Sequence, residues 1–305
     1  MSESPLVSIV IPTYKRGVRV LSRAVRSVQA QTYPNIELVV VDDSPSDWPE
    51  REEVRAFMEP LVGPRVLYVQ NEHNLGGSLT RNRGCEVAHG EYISFLDDDD
   101  VYFPEKTEKQ LAFTVSGGYD VTLTSIVMHN GREQVVDYRE HEDISGLDQE
   151  GLLHYHLMRH LTGTSAYMFR REKLLSVGGF DDAKMGQEFY LMLKCIEAGF
   201  RVGYMPDCLV KMYKHDEGGI TQGRNKIDGE IALHERKKAF FSRLSPKEIR
   251  FINFRHWAVM VVAYRRNRLW PQMLWAGVRA LVASPLDFGA QVTGFFWRIV
   301  KNRRV

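Results

Sequence analysis

Residues 90–100 place the tightest constraint on the fold. Gly90-Glu91-Tyr92-Ile93-Ser94-Phe95-Leu96 is an apolar, aromatic-rich run of strand type, and it ends in four consecutive carboxylates, Asp97, Asp98, Asp99 and Asp100. Adjacent acids repel one another and cost stability unless something offsets their charge. A divalent cation can do so, and the end of a strand in an α/β sheet is where ligands usually sit. Hard ions such as Mg²⁺ take one or two protein carboxylates, keep waters and complete their octahedron with substrate phosphates. The same acids also suit a solvated turn capping the next helix, which Pro104 opens, because Asp is favoured before helix N-termini. The tetrad alone leaves both readings open.

The preceding ninety residues supply context. Val7-Ser8-Ile9-Val10-Ile11 is a buried-strand run that Pro12-Thr13-Tyr14 breaks. Leu21, Ala24, Val25 and Val28 recur at helical spacing, in a helix ending near Tyr33-Pro34. Ile36 to Val41 reads as a second strand, halted at Asp42-Asp43-Ser44-Pro45. A further helix and the strand Arg65 to Val69 lead to Asn74-Leu75-Gly76-Gly77-Ser78, and a helix from about Ser78 to Ala88 enters the acidic strand. This alternation predicts a mainly parallel α/β sheet with helices on both faces, its strand ends aligned along one edge. That edge carries Pro12, Thr13, Tyr14, Asp42, Asp43, Asn74, Gly76 and the tetrad. An aromatic ring can stack on a base, a carboxylate can accept from a base or ribose, and glycine lets backbone N–H groups approach a phosphate. Each loop alone is also ordinary turn chemistry.

Charge divides the chain. Residues 236–305 hold 15 Lys/Arg against 2 Asp/Glu, a formal +13, so the remainder carries −12 within an overall +1. A basic tail on an acidic body points to an anionic partner. Cys85, Cys195 and Cys208 are too few and too scattered for a disulfide framework or a zinc site, which suits a reduced cytoplasmic setting. The first residues lack the pattern of a secretory signal, and no apolar run reaches the roughly 18 residues of a spanning helix.

Val7-Ser8-Ile9-Val10-Ile11-Pro12-Thr13-Tyr14, Val41-Asp42-Asp43-Ser44, Asn74-x-Gly76-x-Ser78-x-x-Arg81-Asn82-x-Gly84 and Gly90-Glu91-Tyr92-Ile93-x-Phe95-Leu96-Asp97-x-Asp99-Asp100 together resemble glycosyltransferase family two, over about Val7 to Thr221. The resemblance implies a GT-A fold (Rossmann-like, with a mainly parallel mixed sheet) and an inverting transferase that uses a nucleotide-sugar donor. On this reading residues 1–229 are the catalytic domain, with a nucleotide-binding half at about 5–100 and an acceptor half at 101–229; residues 230–305 are a basic amphipathic helical region. Asp43, with Asp42, would hold the nucleotide. Asp99 would ligate Mn²⁺ or Mg²⁺, and Asp97 would face the ribose or the metal. Asp98 and Arg81 are further candidates for nucleotide or diphosphate contact, although an Arg on an amphipathic helix is commonly a surface residue.

Beyond the tetrad, the pattern predicts a helix from Pro104 to about Val115, strands at Asp120–Ile126 and Glu133–Tyr138, and a helix over Asp148–Arg159. His154, His156 and His160 do not share one helix face, which argues against a metal site there. Gly163 to Arg171 reads as a loop entering a strand, and Arg201–Met205 and Leu209–Tyr213 as two more strands. Glu188 falls in the first turn of an amphipathic helix, where an acid also complements the helix dipole. The resemblance makes Glu188 the general base, a position where the family usually has Asp; Asp181 and Asp182 are the next candidates. His215 would complete the metal shell, with Lys214 near the diphosphate. The aromatic and Arg-rich helices after Glu230 suit the surface of an anionic leaflet, with packing on protein as the alternative. No nucleic-acid recognition module is present.

The expectation is therefore a metal-dependent transferase moving a sugar from a UDP-linked donor to a glycan or lipid-linked acceptor, as in bacterial cell-surface polysaccharide synthesis, at the inner face of the membrane. Two rivals stand beside it. A sugar nucleotidyltransferase would want a Gly-rich basic loop where Pro12-Thr13-Tyr14-Lys15-Arg16-Gly17 lies. A non-catalytic nucleotide-sugar-binding or assembly subunit is left open by Glu in place of Asp at 188.

Overall fold

The computed structural model describes residues 4–183, 185–214 and 224–289. They fall into two compact units: residues 4–153, 161–183 and 187–214 form the first, and residues 154–160, 185–186 and 224–289 the second. The first unit opens as β1 (Val7–Thr13), α1 (Val18–Gln29), β2 (Ile36–Asp42), α2 (Arg51–Met58), β3 (Val66–Gln70), α3 (Gly77–Val87) and β4 (Tyr92–Phe95). It continues through β5 (Val101–Tyr102), α4 (Lys106–Gly117), β6 (Val121–His129), β7 (Val135–Arg139), α5 (Gln149–Arg159), β8 (Tyr167–Arg170), α6 (Arg171–Ser176), α7 (Gln187–Glu197) and β9 (Val202–Tyr213). From His154 onward α5 groups with the second unit, which also holds α8 (Arg224–Lys238), α9 (Pro246–Arg266) and α10 (Trp270–Ala283).

The sheet runs β3-β2-β1-β4-β8-β6-β9-β5, with β7 added on β6. β3, β2, β1 and β4 are parallel, as the alternation predicts. The other half is mixed: β8 lies antiparallel between β4 and β6, β9 is parallel to β6, and β5 is antiparallel to β9. The chain moves outward from β1 to β3 and then crosses to the other side of β1 for β4. Such a reversal of strand order opens a crevice at the carboxyl ends of β1 and β4, the usual ligand position in α/β sheets.

Local sequence accounts for this half. Val7, Ile9 and Ile11 on one face of β1, and Ser8 and Val10 on the other, are all buried, so helices cover both faces. In α1, Leu21, Val25 and Val28 are buried at their predicted spacing, contributing roughly 1.5–3 kcal/mol each. α3 approaches β1 through Gly84, where a Cβ would lie 2.3 Å from Val10 Cγ1.

Two departures have clear causes. The helix after Pro104 is polar, yet its polar side chains turn inward: Lys106, Thr107, Gln110 and Thr114 are buried. Gln110 Nε2 donates to the Ala166 carbonyl at 2.9 Å, and Lys106 Nζ donates to Ser94 Oγ beneath the Tyr102 ring. Burial pushes the Lys106 pKa well below its ordinary value. The expected strands at Arg201–Met205 and Leu209–Tyr213 are one strand, β9. Pro206 has no N–H for the ladder, and shifts of register on β6 at Thr124–Ser125 and Ser125–Ile126 absorb the interruption.

In the second unit, α9 starts at a capping box formed by Ser245 and Glu248. Ile227, Met260, Ala263 and Ala276 form its core. A buried polar layer adjoins it, with His234 and His256 rings stacked at 4.0 Å and Lys237 Nζ 2.6 Å from His160 Nε2. His154 pairs separately with Glu248 at 2.9 Å.

Candidate active site

The loop after β2 is built around its two acids. Asp42, fully buried, accepts from the Ser44 N–H at 2.9 Å and from Tyr68 Oη at 2.9 Å, with Arg51 Nε at 3.8 Å. Burial first, and then the Asp42 charge, push the Tyr68 phenol well up. Asp43 gathers the loop before α3: it accepts from Asn71 Nδ2 at 2.8 Å, Leu75 N at 2.8 Å and Gly76 N at 2.9 Å. Gly76 has φ +80°, a conformation that glycine adopts without strain. Asn74 is exposed beside it. The Lys15 N–H donates to Ser44 Oγ at 2.8 Å and ties this loop to the end of β1, where Tyr14 is exposed and Pro12 half-buried.

The turn after β4 sorts its acids by alternation. Asp98 and Asp100 are buried, while Asp97 and Asp99 keep 32% and 17% of their side-chain surface open. Thr13 Oγ1 donates to Asp98 Oδ2 at 2.8 Å; Arg16 donates through Nε to Asp98 Oδ1 at 3.0 Å and through Nη2 to Asp99 Oδ2 at 2.9 Å. Burial raises the Asp98 pKa to about 6 against the pull of Arg16. Asp100 accepts from Ser165 Oγ at 3.0 Å and from the Tyr213 N–H at 3.2 Å, and burial raises its pKa well above the carboxylate range. Ser165 Oγ also accepts from the Asp97 N–H at 3.1 Å, so one hydroxyl fixes both ends of the turn.

Arg81 joins this turn to α7. It is buried on α3 and not at the surface, donating through Nη2 to Asp97 Oδ1 at 2.5 Å and through Nη1 to Gln187 Oε1 at 2.8 Å. Glu188, next to Gln187, is half-buried in the first turn of α7, and its carboxylate makes no hydrogen bond to a described residue. Asn82, one residue after Arg81, clamps the 179–181 turn: its Nδ2 donates to the Phe180 carbonyl and its Oδ1 accepts from the Phe180 N–H, both at 2.8 Å. Lys194 holds Asp181 at 2.7 Å, and Asp182 is exposed. The Lys214 N–H donates to the His129 carbonyl at 2.8 Å. His215 lies outside the described residues.

Thus Thr13, Arg81, Asp97, Asp98 and Asp99 converge, with Asp42, Asp43 and Gly76 in the adjoining loop. Arg16, Ser165 and Gln187 belong to the same network, and no local motif marks them. Asp97 and Asp99 offer half-open, hard oxygen donors beside the crevice, the chemistry that suits a Mg²⁺- or Mn²⁺-type ion and a diphosphate.

The half-parallel, half-mixed sheet, with acids at its switch point, is a fold of the GT-A kind. S. aureus TarS (residues 1–349) shares the fold, with a TM-score of 0.61 at 18% identity over 93% of this chain and 82% of that one. The model of the family described as Glycosyl transferase family 2 matches residues 8–177, and the chain belongs to that family. WcaA of Escherichia coli K12, named for colanic acid biosynthesis, is 38% identical over 112 residues, 37% of this chain and 39% of that protein. The match to this relative thus takes in less than half of the relative's length. TuaG of Bacillus subtilis 168, named for teichuronic acid biosynthesis, is 27% identical over 73% of this chain and 84% of its own. No helix among the described residues is long and apolar enough to cross a membrane.

Proposed function

We propose that this protein transfers a sugar from a UDP-linked donor to a hydroxyl of a glycan or lipid-linked acceptor in cell-surface polysaccharide synthesis, inverting the anomeric centre. The observation that carries the reading is Arg81, whose one guanidinium grips Asp97 and Gln187 and so couples the acidic turn to the helix that presents Glu188. The names of WcaA and TuaG support the polysaccharide class. TarS structures with UDP-GlcNAc and UDP share the fold and support the nucleotide.

In this reading Tyr14 stacks on the base, and Pro12, Thr13, Asp42, Asp43, Asn74, Gly76 and Asp98 form or frame the nucleotide cradle. Arg81 orients Asp97 and stands beside the diphosphate. Asp99 and Asp97 would hold Mn²⁺ or Mg²⁺, with His215 as a third ligand; when bound, such an ion neutralises charge developing on the departing diphosphate. Glu188 takes the proton of the acceptor hydroxyl as its oxygen attacks the anomeric carbon. One glycosidic C–O bond forms, the C–O bond to the diphosphate breaks, and the nucleoside diphosphate leaves with the electron pair. Residues 236–305 contact the inner face of the cell membrane, and nucleic acid is not a partner.

The test is a panel of nucleotide-sugars with Mn²⁺ and then with EDTA, on the wild type and on Glu188→Gln. One UDP-sugar should bind with metal, and Glu188→Gln should keep that binding while losing about 10²–10⁴-fold in kcat. Full transfer by Glu188→Gln removes the base assignment. Failure of every donor to bind, with or without metal, removes the transferase reading.

A further inference from the structure

α10 is apolar around most of its circumference. It buries Ala276 and Ala280, yet it turns Trp270, Leu274, Trp275, Val278, Leu281 and Val282 outward, each between 44 and 73% exposed. At 100° per residue these six side chains span roughly 140° of arc. A helix on a water-facing surface would be polar there, and a contiguous apolar patch of this kind marks an interaction surface. Leu286, beyond the extended Ser284 that ends the helix, is also exposed.

Charge identifies the occupant. Residues 249–286 contain no Asp or Glu, and they carry Arg250, Arg255, Arg265, Arg266, Arg268 and Arg279. Arg265, Arg266 and Arg268 stand exposed where α9 passes into α10. Arg279 lies 4.8 Å from the Trp275 ring centroid. At the far end, Leu286 lines a cleft of about 660 Å³ together with Arg159, Lys247 and Arg250. The two acids of that cleft are engaged: Glu248 in the capping box, and Asp287 by Ser284 Oγ at 2.6 Å. The stripe therefore has cations at both ends. A second copy laid along it, parallel or antiparallel, would set cations against cations. Lipid phosphates complement them, and Trp side chains suit headgroup depth.

We propose that α10 lies flat in the surface of an anionic bilayer, with Leu274, Val278 and Val282 toward the acyl chains and the Arg265–Arg268 cluster on lipid phosphates. This rests on the membrane contact proposed above for residues 236–305 and assigns it to one helix face.

The experiment is sedimentation of the full chain with phosphatidylglycerol/phosphatidylcholine vesicles and with pure phosphatidylcholine vesicles. Two variants accompany the wild type: Leu274→Glu/Val278→Glu/Val282→Glu and Arg265→Gln/Arg266→Gln/Arg268→Gln. All six positions are exposed, so thermal midpoints should stay close to wild type. The expected result is wild-type binding to the anionic vesicles, at least about tenfold weaker for the Arg variant and at least about thirtyfold weaker for the apolar one. Wild-type binding that the apolar variant retains overturns the α10 assignment and leaves the wider membrane contact standing. Absence of wild-type binding to any vesicle removes both. A dimer in lipid-free buffer that the apolar variant converts to monomer makes a second copy the occupant and overturns the proposal.

Discussion

Asp42 and Asp43, at the end of β2, are 0% and 3% exposed, whereas Asp97 and Asp99, after β4, keep 32% and 17% of their side-chain surface open. Both stretches are short acidic runs at the ends of the strands that flank β1, and by composition they are alike. Internal donors separate them. The first pair is surrounded by Ser44 N, Tyr68 Oη, Asn71 Nδ2, Leu75 N and Gly76 N, so its charge organises the loop that precedes α3. In the second run only alternate residues face inward, to Thr13, Ser165 and Tyr213. The outward residues each meet an arginine, Asp97 the buried Arg81 and Asp99 the half-buried Arg16. In the reading proposed above, the half-open acids Asp97 and Asp99, rather than the number of acids, carry the ligand contacts.

Asp99→Asn breaks the comparison most directly. Removing one half-open carboxylate should cost about 10³-fold or more in kcat/KM and weaken Mn²⁺ binding, measured by steady-state kinetics and titration calorimetry. The thermal midpoint should move little, because relief of repulsion among neighbouring acids offsets the lost Arg16 contact. A variant that melted well below wild type yet kept its activity would make Asp99 a structural acid like Asp43.

Asp43→Ala tests the other side. Buried Asn71 Nδ2 and the half-buried Leu75 and Gly76 N–H groups would lose their acceptor, which should cost about 2–5 kcal/mol in chemical denaturation. Asp43→Asn, which keeps one acceptor oxygen, should fall between. Unchanged stability with donor binding lost would show that Asp43 contacts the nucleotide directly rather than framing its loop.

The parallel half of the sheet and its acidic strand end were legible because their signals are local: β-branched runs, helical spacing and motifs within a few residues. The partners that fix the site were not. Arg16 meets Asp98 across 82 residues, and Arg81 meets Gln187 across 106, so each pairing exists only after β1, β4, α3 and α7 have assembled. Arg81 is a candidate in the sequence that an amphipathic helix would place at the surface; α3 is only weakly amphipathic, and its buried side includes Ser78, Thr80 and Arg81 itself. In α4 the inward face is polar too: Lys106 and Gln110 answer Ser94 and a sheet carbonyl, a pattern that hydrophobic periodicity cannot register. β5 is too short, at two residues, to show any periodicity.

Another acid stands at the opposite end of the sheet. Glu37 is buried near the start of β2, where Ser8 Oγ donates to its Oε2 at 2.5 Å, the His89 N–H donates at 2.8 Å, and His89 Nδ1 lies 2.7 Å from its Oε1. Burial opposes the charge, but the bonds from Ser8 and His89 outweigh it and hold the carboxyl below its ordinary value of 4.5. The sign follows from linkage: the contribution is fully present above the unfolded value and is lost as pH falls through the lower, folded one. His89 is largely exposed, so its share is screened by solvent. Glu37→Gln should therefore cost little activity, lower the thermal midpoint modestly at pH 7, and converge with wild type as the pH falls through the lowered folded-state value. Thermal melts across pH 3–7 would measure it. A gap that stayed constant down to pH 3 would show that hydrogen-bond geometry rather than charge is what Glu37 supplies, and would set it apart from the acids at the other end of the sheet, whose proposed role requires ionisation.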